Sequence, residues 1–162
     1  MKKLFICLVI AFTAVCANAQ VTWNVRAGGG IQGITVDGYL YSDVDEVFVP
    51  TLTFETNIPL KTGSAWTFSP SISIGYALDE CGIVATMPLH MGYKIPIGQN
   101  TLFCPKAGAI VGYIDDDCGS ILLGPSIEIP FEIKHFVVAL NANVSVVDEP
   151  LFGAYLTFGY KF

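Results

Sequence analysis

The sequence predicts an all-β chain: an eight-stranded antiparallel up-and-down β-barrel that crosses a membrane with its strands. Three observations carry that reading. Eight stretches alternate apolar with small or polar residues at a period of two, the mark of strands with two unlike faces. The acidic residues gather in every second connection, as they must if successive turns lie at opposite ends of the barrel. The aromatic residues sit on one face, near the strand ends.

Composition agrees. Hydrophobic residues make up 52% of 162 residues and charged residues only 14%, a lean surface for a body facing water on all sides. Beyond residue 20 no apolar run reaches the roughly 18 residues a helical span requires, so membrane-crossing helices are excluded. The length fits one domain.

The N-terminus reads as a signal peptide over residues 1–19. Met1-Lys2-Lys3 is a positive start, Leu4 to Val15 an apolar core, and Ala17-Asn18-Ala19 a small-x-small cleavage site. Lipidation at Cys16 fits less well, because Thr13 and Val15 are not usual lipobox residues. Cleavage leaves residues 20–162 as the barrel domain, with six Lys+Arg against fourteen Asp+Glu and a net charge of −8. That sign argues against nucleic acid as a partner.

The first strand alternates from Trp23 to Gln32 and is rich in glycine, which leaves its register the least determined. The second runs from Thr51 to Ile58, with Leu52, Phe54, Thr56 and Ile58 on the outer face. Trp66 to Leu78 is the cleanest, setting Trp66, Phe68, Ile72, Ile74 and Tyr76 against Thr67, Ser69, Ser71 and Ser73. Ile83 to Lys94, Phe103 to Tyr113, Leu123 to Phe131 and Phe136 to Ser145 continue the pattern, and Leu151 to Phe162 ends it. These lengths are near the ~9–11 residues of a tilted membrane strand. Pro70, Pro88, Pro105 and Pro125 fall within strands, where they cannot donate to a ladder, so bulges or shortened pairing are expected there.

The connections 61–65, 95–101 and 132–135 carry few acids. The connections 33–47, 79–82, 114–119 and 146–150 hold eleven of the fourteen. Trp23, Trp66, Tyr93, Phe103, Phe131, Phe136, Tyr160 and Phe162 would ring the low-acid end, and Phe48, Tyr76, Tyr113 and Phe152 the acid-rich end, as two girdles flanking an aliphatic band.

The signal peptide together with Phe158-x-Tyr160-x-Phe162 resembles the small eight-stranded outer-membrane β-barrel family of OmpA/OmpX-like, porin-like domains, over Trp23 to Phe162. The resemblance implies a Gram-negative outer-membrane location with both termini periplasmic and the acid-rich end extracellular. It implies that Phe158, Tyr160 and Phe162 are read by the barrel assembly machinery. Outer-membrane lipid is the implied surround, and a monomer is expected. Members serve in envelope integrity, adhesion or surface interaction, and a few modify lipids. The acidic loops could meet an extracellular ligand.

Eight strands leave an interior that side chains can fill. The inward charges are Arg26, Glu55, His90, Lys94, Lys106, Glu128 and Lys161. Glu55 with Arg26, and Lys106 with Glu128, are symmetric about their loops and should meet across hairpins. Pairing into a lumen-filling salt-bridge network is favoured over an ion path, since unpaired buried charge is costly. His90 and Cys104 both point inward and are equidistant from the third turn, so they could touch, but neither substrate access nor an oxyanion site is visible. No enzyme activity is expected.

Cys81 and Cys118 lie in neighbouring acidic loops of an oxidising compartment, where a disulfide is favoured over two free thiols. Asp115-Asp116-Asp117 with Asp79 and Glu80 could hold a divalent cation, but a solvated rim is favoured because no glycine-spaced calcium loop is present, and no metal or cofactor is expected. A secreted lipocalin-like calyx carrying a lipophilic ligand is the competing class. It would bury the aromatic face and expose the Thr, Ser and Gly face.

Overall fold

The computed structural model describes residues 21–34, 47–78, 82–115, 120–145 and 151–162; the expected signal peptide lies outside them. The strands are β1 (Thr22–Ile34), β2 (Val47–Pro59), β3 (Trp66–Ala77), β4 (Gly82–Tyr93), β5 (Ile95–Pro96), β6 (Thr101–Phe103), β7 (Lys106–Asp115), β8 (Ser120–Ile133), β9 (Phe136–Ser145) and β10 (Leu151–Lys161). They make eight staves. β6 and β7 both pair with β8 and form one stave interrupted at Cys104-Pro105, while β5 pairs with β6 as a short hairpin beyond β4. Each stave is antiparallel to its sequence neighbours, and β1 pairs with β10, so the sheet closes into a barrel. β2 begins at Val47, four residues before the alternation alone suggests, because Phe48 and Val49 extend its outer and inner faces.

Closure rests on the glycine-rich first strand. The β1–β10 ladder is unbroken from Asn24↔Lys161 to Ile34↔Leu151. Gly28 and Gly30 face inward along this seam. A Cβ on Gly28 would stand 2.0 Å from the carbonyl oxygen of Leu156, and one on Gly30 2.1 Å from that of Ala154. Strong coiling in a narrow barrel brings neighbouring backbones this close, and only glycine leaves room.

The prolines interrupt pairing locally. The β2–β3 ladder skips the residues opposite Ser69 and Pro70, and the β3–β4 ladder skips those opposite Met87 and Pro88. Pairing of β8 with β9 starts at Ser126, one residue past Pro125. A missing N–H is tolerated in each case by omitting a rung rather than by opening an edge.

The faces are sorted opposite to those of a soluble protein. Leu52 (57% exposed), Ile72 (55%) and Phe158 (55%) stand on the outside, whereas Arg26 (1%), Glu55 (0%) and His90 (0%) are inside. A calyx requires the reverse, so the lipocalin-like reading does not describe this barrel. Thr56 and Ile58 depart from the alternation. Both are buried although they belong to the outer face, because Thr56 stands opposite Trp23 and Ile58 opposite Phe68, whose bulk covers them.

Aromatic pairs encircle the low-acid end. Trp23 meets Phe54 at 5.3 Å, Trp66 meets Tyr93 at 5.1 Å, Phe103 meets Phe131 at 4.9 Å and Tyr160 meets Phe162 at 5.1 Å between ring centroids. The N–H of Phe162 donates to the carbonyl of Trp23 at 2.8 Å, which fixes the terminal ring beside the seam.

Gly28→Val should prevent seam closure. Unheated electrophoresis of the refolded protein should lose the compact, heat-sensitive band. Ala27→Val, on the exposed face of the same strand, should retain it.

Candidate functional site

The alternation that turns the aliphatic residues outward turns four charges into the lumen at one level. Arg26 comes from β1, Glu55 from β2, Lys106 from β7 and Glu128 from β8. Arg26 Nη2 donates to Glu55 Oε2 at 2.8 Å and to Glu128 Oε2 at 2.7 Å. Lys106 Nζ donates to Glu55 Oε1 at 2.5 Å and to Glu128 Oε1 at 2.8 Å. Each carboxylate therefore bridges both cations, and the four form an electroneutral ring.

Register explains who meets whom. Lys106 and Glu128 are direct cross-strand partners. Glu55 is directly opposite Asn24 and Arg26 opposite Thr53, so Arg26 reaches Glu55 on the diagonal. The other two bonds, Arg26 to Glu128 and Lys106 to Glu55, join staves that are not neighbours and so cross the lumen. All four side chains are buried. Glu55 Oε1 also accepts from Asn24 Nδ2 at 3.0 Å and Asn57 Nδ2 at 2.7 Å, and Ser69 Oγ donates to Asn57 Oδ1 at 2.7 Å. Such a ring is favourable only because every carboxylate oxygen has donors; a half-satisfied version would be worse than an apolar plug.

His90 lies outside the ring. Its Nε2 is 3.0 Å from Ser126 Oγ, and its Nδ1 has no partner among the described residues. Cys104, a buried free thiol, contacts Thr67 Oγ1 at 3.9 Å instead. The possible His90–Cys104 contact is not made: the β5–β6 hairpin shifts the register so that His90 stands opposite Gly108. Glu132, which the alternation leaves in a turn, is buried in β8 and forms an ion pair with Lys161 at the low-acid end. Asn24, Asn57, Ser69 and Ser126 were not singled out by sequence. Their only signal was an inward position on an alternating strand.

The lumen is thus layered. The Lys161–Glu132 pair closes the low-acid end, the charge ring lies above it, and a hydroxyl-lined space follows. At the acid-rich end Val47, Val49, Ala77, Val84, Ile114 and Leu122 pack into an apolar collar, with Leu151 and Tyr155 against it. Cys81 and Cys118, and the acids Asp79, Glu80, Asp116 and Asp117, lie outside the described residues. Phe158, Tyr160 and Phe162 are exposed on the outer face.

A closed eight-stranded antiparallel barrel with an apolar exterior and a polar, side-chain-filled lumen is the fold of the small outer-membrane β-barrels. No protein-family model and no curated protein matches the sequence. Solved structures do. The outer-membrane enzyme PagL superposes with a TM-score of 0.64 at 13% identity, covering 86% of this chain and 98% of its own. Ail, the attachment invasion locus protein of Yersinia pestis, gives 0.53 at 14%, covering 87% and 98%. The N-terminal barrel domain of Pseudomonas aeruginosa OprF gives 0.51 at 12%, covering 87% and 97%. At these identities the likeness is one of fold.

Glu128→Gln should leave two cations sharing one carboxylate, costing about 3–5 kcal/mol if the ring is dry. Lys106→Met in the same chain should recover part of that loss. Urea unfolding in lipid vesicles measures both.

Proposed function

We propose that this chain is a small β-barrel of the Gram-negative outer membrane with a structural or surface-interaction role and no enzymatic activity. The observation that carries the proposal is the inverted burial: a neutralised charge ring inside and a continuous aliphatic band between aromatic ends outside. Contiguous apolar surface on this scale is untenable in water and is what a bilayer solvates. Outer-membrane lipid is therefore the surrounding partner. The exposed Phe158, Tyr160 and Phe162 on the closing strand are the residues the assembly machinery would read, and both termini would face the periplasm.

The acid-rich end then faces outward, which bears on partners. Ail has been solved with the heparin analogue sucrose octasulfate, a polyanion. Here the outward connections hold eleven of fourteen acids, so a polyanion would be repelled, and a cationic or uncharged surface is the complementary partner. Among the neighbours in fold are both an attachment protein and an enzyme. In this chain the polar side chains with chemical potential, His90, Ser126 and Glu128, are all buried in the lumen, a placement that favours the structural role.

Cell fractionation should find the protein in the outer membrane, and deletion of Phe162 should leave it in the periplasm. Wild-type protein recovered freely soluble in water would overturn the location. In planar bilayers the purified barrel should show no large, stable, ohmic channel. A persistent porin-like conductance would turn Arg26, Glu55, Lys106 and Glu128 from a plug into a pore lining.

A further inference from the structure

Between the charge ring and the apolar collar the lumen holds a chamber with about 40 Å³ open to the centres of water molecules. Arg26 and Glu128 line it, and Thr51, Ser71, Asn141 and Asn143 are among its polar wall residues. Four atoms of these residues are buried without a hydrogen-bond partner among the described residues: Arg26 Nε, Arg26 Nη1, Thr51 Oγ1 and Ser71 Oγ. Arg26 itself is 1% exposed. Buried donors left unpaired are costly, and four of them around one space call for an occupant that supplies oxygen atoms.

Charge and size narrow its chemistry. The Arg26 guanidinium is already neutralised by Glu55 and Glu128, so an anion would place excess negative charge beside the Glu128 carboxylate. A cation would face the guanidinium. An ion arriving from the acid-rich end would also shed its hydration at Val47, Val49, Val84, Ile114 and Leu122, which return nothing for it. An uncharged molecule meets neither barrier. A water needs roughly 10–15 Å³ by this measure, so the chamber takes about three waters or one molecule of that bulk. Hydroxyl groups suit the wall best, since each can accept from Arg26 and donate to a threonine, serine or asparagine oxygen.

We propose that this chamber is a binding site for a small uncharged polyol of glycerol's size, entered through the apolar collar and floored by the charge ring. The site goes beyond the envelope role proposed above and stands independently of it. Its floor is the charge ring, whose four side chains are buried.

Arg26 is the only arginine in the chain, so protein labelled with 15N-arginine gives a single guanidinium Nε–H signal from the chamber floor. Titrating glycerol into the full mature barrel in lipid nanodiscs should move that signal saturably, and sodium chloride over the same range should not. Ser71→Ala removes one unpartnered hydroxyl and should weaken the apparent glycerol affinity about tenfold. Thr51→Val with Ser71→Ala should abolish the response, and the amide spectrum reports whether that barrel still folds. The single Ser71→Ala variant decides the matter if it does not. A signal unmoved by glycerol would overturn the site as a polyol pocket and leave it a hydration space. A saturable response to chloride, or a glycerol response unchanged by Ser71→Ala, would overturn it equally.

Discussion

Four charges placed in a lumen have to neutralise one another, and the rest of this barrel is arranged around that requirement. Two carboxylates and two cations on four staves satisfy it only if the staves hold a fixed register, since one step along any strand would turn a charge onto the apolar outer face. Bonds from β1 to β8 and from β2 to β7 also cross the interior, so the ring braces opposite walls that no backbone hydrogen bond connects. Asn24 and Asn57 then complete the coordination of Glu55, and Ser69 holds Asn57 in turn, carrying the constraint further toward the low-acid end.

Much of the fold was legible because the period of two is a strong signal wherever both faces are chemically distinct. Trp66 to Leu78 shows this, with outward aromatic or aliphatic residues alternating against serine, threonine, glycine or alanine. Register was legible for staves that directly pair as sequence neighbours, with no further strand between them. Lys106 and Glu128 are symmetric about their loop and face each other directly. It failed where the chain inserts structure into a connection. The β5–β6 hairpin moves the β4–β7 register, which separates His90 from Cys104. Arg26 and Glu55 are offset because the β1–β2 register sets Arg26 opposite Thr53, two residues from Glu55, and long side chains absorb the difference.

What sequence could not rank was the relative depth of inward residues on different strands. Depth depends on strand tilt and stagger, which link residues far apart in the chain. Glu132 and Lys161 were separately visible as charges near a low-acid turn, yet their meeting follows from the stagger between β8 and β10. The chamber has the same origin: its lining comes from staves all round the barrel and shares no local motif.

The pairing of β1 with β10 has a consequence for biogenesis. Asn24 and Lys161 are separated by nearly the whole described chain, so every other stave can form before the one contact that removes the two free edges. Until then both edges carry unpaired backbone groups that hydrocarbon cannot solvate and that invite pairing with another chain. For the outer-membrane location proposed above, insertion and closure would then be coupled, and whatever shelters the growing sheet would hold two edges apart and release them together. The glycines of β1 leave room for that final zippering, so the close backbone approach that completes the barrel is written into its first strand.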